Sequence, residues 1–164
     1  MRSLFLSACL TIILFSGFLA NLNIIFAQES SEAAVKIEKV SNIRDRLFEK
    51  ITLFFKFSNE KKLDYYIYLQ EKRLADLKYA IDNDDGDLIE ELSSRYSTYL
   101  GTMTNFLIEK KLNYKKEEIL KMMENHSRII ENLQKNFTFE SGFWLLLQHD
   151  INTLKIFSDK LQQI

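Results

Sequence analysis

Apolar residues recur at spacings of three and four along most of this chain, and its first stretch departs from that rule. Leu4 to Ala20 is nearly unbroken apolar sequence, Asn21 and Asn23 interrupt it, and Ile24-Ile25-Phe26 resumes it. Arg2 precedes the run and Gln28-Glu29-Ser30 follows it. A basic start, an apolar segment and a small residue at Ala27 predict an export signal cut between Ala27 and Gln28. The run is also long enough for an uncleaved membrane anchor, since a spanning helix needs about 20 residues, and Ile25 is bulky for a cleavage site. Both readings keep Arg2 inside and place everything after Ala27 outside the cytoplasm.

From there the period becomes helical and predicts five segments. The first runs from Ser31 or Ala34 to Phe57, with Val40, Ile43, Leu47, Ile51 and Phe54 as its buried stripe. Ser58 caps the second, Asn59 to Ile81, whose stripe is Leu63, Ile67, Leu74, Leu77 and Ile81, with a Lys72–Asp76 ion pair on its flank. The acidic turn Asp82 to Asp87 follows, and Asp87 with Glu90 forms a capping box for the third. Leu88, Leu92, Tyr96, Tyr99, Met103 and Phe106 make its buried line, with Gly101 inside it as a place for a close neighbour. Asn113 caps the fourth, which carries Ile119, Met123, His126, Ile130, Leu133 and Phe137. Trp144, Leu147, Ile151, Leu154, Phe157 and Leu161 define the fifth. Short turns between long helices make chain neighbours antiparallel. The expected fold is all-α: an antiparallel up-and-down bundle of four to five helices, preceded by an N-terminal signal or membrane-anchor helix. The domains are residues 1–27 as signal or anchor, 28–41 as linker or helix start, and 42–164 as one bundle.

Composition agrees. The chain has 164 residues, no proline and four glycines, and such scarcity of breakers means long helices. Removing the first 27 residues leaves about 137, enough for one domain that buries ~65–70% of its unfolded surface. The net charge is −1, too weak a field to gather nucleic acid. Cys9, the single cysteine, falls within the apolar run. The rest of the chain therefore offers no disulfide and no cysteine-held metal or haem.

The middle of the chain resembles a known family. Ile43-Arg44-Asp45-Arg46-Leu47-Phe48-Glu49-Lys50 through Phe57-Ser58-Asn59-Glu60-Lys61-Lys62 is similar to the opening of the domain of unknown function 5667. There an amphipathic helix ends in Phe-Thr-Phe-Asp-Pro-like residues before a lysine-bearing helix start. Glu71-Lys72-Arg73-Leu74-Ala75-Asp76 resembles that family's Glu-x-Arg-Leu-x-Glu segment, and Met123 to Leu133 resembles its later helix with a histidine before an aliphatic pair. The resemblance spans residues 42–133. It implies an exported or membrane-anchored bacterial helical domain and brings no established activity. Asn59 stands where the family usually has proline, a difference that touches capping alone.

Candidate chemistry is sparse. If Gly86 took the sixth position of an EF-hand loop, Ile81 and Leu92 would fall where carboxylates are required, so Asp82 to Asp87 reads as an acidic turn. His126 lies on an apolar stripe and His149 points about 200° away from Leu147, so the two do not converge on a metal. Met103, Met122 and Met123 read as core filling. No nucleophile–base motif or phosphate loop is present, and no cofactor is expected. Two partner surfaces are candidates: Tyr65 and Tyr68 beside a helical groove, and Lys61, Lys62, Lys115 and Lys116 gathered at the end away from the membrane.

These features lead to an expected function: a non-catalytic, secreted or membrane-anchored interaction module of the cell envelope. Its partners would be the membrane through the N-terminal segment, and an envelope protein or anionic wall polymer, with no nucleic acid. The alternative is a small envelope chaperone or a stress- or metal-sensing helical protein. A chaperone requires a large exposed apolar patch.

Overall fold

The computed structural model describes residues 40–164. The apolar run, Cys9 and the Ala27–Gln28 junction lie outside them. The described residues form helices α1 (Ile43–Phe54), α2 (Asn59–Asp82), α3 (Gly86–Glu109), α4 (Lys116–Gln134) and α5 (Gly142–Gln162), with a 3-10 turn at Asn113–Lys115. No helix among them is long and apolar enough to cross a membrane.

Helices α2 to α5 bury the stripes that their periodicity marks out. Leu63, Leu77, Leu92, Leu100, Ile119, Ile130, Leu147 and Leu161 share one core, and Tyr96 and Met103 lie within it. Helices α2 and α3 form one antiparallel hairpin, with Tyr66 against Phe106 and Arg73 against Tyr99. Helices α4 and α5 form the second, with Met123 against Ser158 and Gln134 against Trp144. The hairpins stack so that α3 packs on α5 and α2 on α4. These cross-hairpin pairs are parallel: Ser97 meets Asp150 and Asn105 meets Lys160, while Asp64 meets Lys115 and Glu71 meets His126. Chain neighbours are thus antiparallel, as the short turns require, and α3 and α4 face one another across the core. At Gly101 the close neighbour is the Phe157 ring, 3.0 Å from where a Cβ would stand.

Four expectations need correction. The first helix starts at Ile43 rather than at Ser31 or Ala34, because Asn42 and Asp45 close a capping box there, Asn42 Oδ1 accepting from Asp45 N at 3.0 Å and Asp45 Oδ2 from Asn42 N at 2.9 Å. Helix α3 is capped by Asp85 rather than Asp87, because Asp84 takes the left-handed backbone conformation (φ 54°) and closes the turn early. Asn113 opens the 3-10 turn and makes no side-chain cap. The fourth correction is the largest. The stripe expected to bury α1 faces outward: Ile43 is 75% exposed, Phe54 76%, and Leu47 and Ile51 lie between them in sequence and are also exposed.

Two helix ends carry a cost. After α2 and α3 the chain turns through Asp84 and Lys111 (φ 55°), and the next amides reach back to the carbonyls five residues earlier, Asp85 N to Ala80 O at 2.9 Å and Leu112 N to Leu107 O at 3.0 Å. This Schellman closure ordinarily uses glycine, which has no Cβ to crowd the left-handed region. Lys111 is exposed, so Lys111→Gly is expected to stabilise the fold by about 0.5–1 kcal/mol. A urea unfolding curve with a lower midpoint for the glycine variant would contradict that sign.

Candidate functional site

Helix α1 has its polarity reversed. At 3.6 residues per turn, Asp45, Glu49, Thr52 and Lys56 share one side and Ile43, Leu47, Ile51 and Phe54 the other. The polar side is turned to the bundle, where Glu49 is buried. The apolar side is turned to solvent, together with Phe48, Phe55 and Phe57, the last 88% exposed. Half of the large apolar side chains exposed among the described residues therefore fall between Ile43 and Phe57.

Three ties hold α1 in this orientation. At its start, Ser41 donates from Oγ to Asp76 Oδ2 at 3.0 Å and from its amide to Oδ1 at 3.3 Å. At its middle, Glu49 accepts from Lys72 Nζ at 2.8 Å and from the Arg73 guanidinium. Near its end, Thr52 bonds the Tyr65 hydroxyl, and Lys56 lies 5.6 Å from the centre of the Tyr65 ring. Burial pushes that hydroxyl's pKa up to about 12, with the Thr52 bond opposing the rise and Glu49 adding to it.

Arg73 is the centre of this arrangement. It is fully buried, bonds Asp76 Oδ2 at 2.9 Å and Ser41 Oγ at 3.3 Å, and lies 4.4 Å from the centre of the Tyr99 ring. Burial opposes its charge, but Tyr99, Glu49 and Asp76 outweigh that and raise its pKa further. Two cations and two carboxylates meet here, so the cluster is neutral. Removing one partner of such a buried group costs about 3–5 kcal/mol, because the rest is left uncompensated. Lys72 and Asp76, expected to pair with each other on a flank, instead take separate partners here.

A second polar group crosses the core. Tyr96 Oη and His126 Nδ1 share a hydrogen bond of 3.0 Å, and His126 Nε2 lies 3.1 Å from Glu71 Oε1, off the line of a straight bond. Ser97 Oγ donates to the buried Asp150 at 2.6 Å. Beside it, Ser94, Thr98, Leu146, His149 and Thr153 line a shallow surface groove of about 410 Å³. His126 is buried and His149 exposed, as the stripe positions indicate. Among the described residues no three His, Cys, Asp or Glu side chains come together as a metal site. In the acidic turn Asp82 pairs with Lys78 and Asp85 caps α3.

The other candidate residues separate. Tyr65 is buried under α1, so of the tyrosine pair only Tyr68 reaches the surface, stacked on Tyr65 at 5.7 Å between ring centres. Lys61 is exposed, and Lys62 and Lys116 are half-buried. Lys115 is held by Glu118 at 2.7 Å and Asp64 at 3.1 Å, which neutralise it. Residues Asp64 and Lys115 do bring the starts of α2 and α4 to one end.

The family model described as Domain of unknown function (DUF5667) matches residues 43–136. The chain belongs to this family. The matched span begins at the first residue of α1 and ends two residues beyond α4, so the DUF5667 region includes both the reversed helix and the Arg73 cluster, while α5 lies outside it. No curated protein and no solved structure matches the chain.

Sequence reasoning placed α1 in the DUF5667 region and misjudged which face is buried. A signal was present: the side opposite the apolar stripe carries both of the helix's carboxylates, and the next helix offers Lys72 and Arg73. Asp150 had no signal beyond its place on the fifth helix. Burial raises its pKa from 3.8 to about 6, against the opposing bonds from Ser97 and Ser93. The folded protein therefore holds a proton that the unfolded chain releases at lower pH. This contribution is complete below about pH 4 and is lost as pH rises through about 6. Asp150→Asn is expected to match the wild type in Tm near pH 4 and to exceed it at pH 7, by on the order of 2–3 kcal/mol in stability. Equal pH dependence in the two proteins would contradict this.

Proposed function

We propose that this DUF5667 protein is a non-catalytic interaction module, exported or membrane-tethered, whose working surface is the outward face of α1. The single observation that carries this reading is the set of seven large apolar side chains exposed between Ile43 and Phe57. Contiguous exposed apolar surface of this kind marks interaction sites. The protein sacrifices burial of this stripe and uses charged bonds to keep it outward, which is the reverse of what a helix serving only the core would do. The apolar run at the N-terminus supports export or tethering, with the folded residues on the far side of the membrane.

A catalytic reading has less support. The serine best placed in the groove between α3 and α5, Ser97, donates to Asp150, not to a histidine base. The chaperone reading draws on the same apolar face, since holding unfolded clients requires such a patch. Its difficulty is shape: a single helix presents a ridge, and the groove between α3 and α5 is lined by serines, threonines, Glu90 and His149 with Leu146 as its one large aliphatic side chain.

The test is photo-crosslinking in cells of the source. A photoreactive amino acid is placed at Leu47 in the full-length chain, with Lys155 on α5 as control. The expected result is efficient crosslinking from position 47 and little from 155. Equal yields from both positions would overturn the assignment of α1 as the working surface.

A further inference from the structure

We propose that the occupant of the outward α1 face is the anionic surface of a lipid bilayer. This rests on the reading of α1 as the working surface and names its partner. The first support is charge. Both carboxylates of α1, Asp45 and Glu49, lie on its bundle side, with Glu49 buried against Lys72 and Arg73. The fully exposed charged residues of the helix are Arg44 and Lys50, both cationic, while half-buried Asp45 caps the helix and half-buried Arg46 lies 4.0 Å from Glu91 of α3. An apolar stripe of Leu, Ile and Phe whose fully exposed charges are cationic is the arrangement that lies in the plane of a membrane interface, apolar side among the acyl chains and cations at the phosphates.

The same charges argue against a second copy of this chain. Two such faces brought together would set Arg44 and Lys50 near their own counterparts, with no carboxylate on either face to offset them. A soluble acidic partner would satisfy the cations and leave the phenylalanines of the stripe without an apolar counterpart. A bilayer with anionic headgroups supplies both layers at once.

The second support is reach. The apolar run ends by Ala27 and α1 begins at Ile43, leaving residues 28–42 between them. Fifteen residues span at most about 50 Å. A chain inserted or held through its N-terminal run therefore keeps α1 close to the same bilayer, where a weak interfacial affinity acts at high effective concentration. In this arrangement α1 lies between the bilayer and the α2–α3 hairpin to which it is tied. Tyr68, exposed beside the buried Tyr65, joins the aromatic side chains near headgroup level.

The experiment uses the full-length chain in Cys9→Ser background, with an environment-sensitive NBD label on Ile51→Cys or, as control, Lys155→Cys. The protein is reconstituted in vesicles of phosphatidylglycerol and phosphatidylcholine in equal amounts. The expected result is a blue-shifted NBD band at position 51 that doxyl-labelled lipid quenches, with neither effect at 155. Arg44→Glu combined with Lys50→Glu leaves the apolar stripe intact and is expected to lower the inserted fraction of the label roughly tenfold. The loss should shrink at high salt. A label at 51 that stays in water overturns the proposal, as does an equal signal at 155, or a pyrene excimer at position 51 reporting a second copy. If position 47 crosslinks to a protein while the label at 51 stays in water, α1 remains the working surface and lipid falls as its occupant. If position 47 crosslinks no better than 155, both readings fall.

Discussion

One buried guanidinium decides which way α1 faces. Arg73 lies within the α2–α3 hairpin, stacked on Tyr99 and bonded to Asp76, and it has one side left for an acid. Glu49 fills that side. Asp76 alone leaves part of the guanidinium unpaired, and breaking a buried ion pair by removing one partner costs about 3–5 kcal/mol. The helix therefore docks by its charges, and its apolar stripe faces out as a consequence. Ser41, Thr52 and Lys56 reinforce the same orientation from either end.

The bundle beneath is built on ordinary terms. Helices α2 to α5 each bury an apolar stripe, and the two hairpins stack with parallel partners across their interface. That stacking places α3 opposite α4, which lets Tyr96 meet His126 through the core. It also buries Asp150, which disfavours the charged form in spite of the bonds from Ser97 and Ser93. These buried polar groups need partners from two hairpins at once, so they favour this pairing of hairpins over other arrangements of the same helices.

Much of this was legible in the sequence. The positions of α2, α4 and α5, their stripes, the Ser58 cap, the burial of His126 and the family itself follow from residue spacing and motif. Three things did not. Asp84 and Lys111 adopt a backbone conformation that glycine usually marks, so the caps expected at Asp87 and Asn113 were displaced by local geometry that residue type did not announce. The diagonal placement of α3 and α4 depends on contacts between distant segments. The reversal of α1 was hidden because an amphipathic stripe says which face is apolar, not whether that face meets the protein's own core. The partner that decided it, Arg73, is 24 residues away from Glu49, and nothing in the spacing links the two.

The family membership and the structure join at this cluster. The Glu71-to-Asp76 segment on which the resemblance rests contains Arg73 and Asp76, and the helix that opens the matched region contains Glu49. Hydrogen exchange of the full-length protein carrying Glu49→Gln tests the ionic latch most directly. The account predicts that amides of Ile43–Phe54 lose at least about tenfold in protection, the worth of one weakened charged bond, while α3, α4 and α5 keep theirs. Unchanged protection in α1, or an equal loss through the whole bundle, would contradict the claim that Arg73 and Glu49 hold this helix in place.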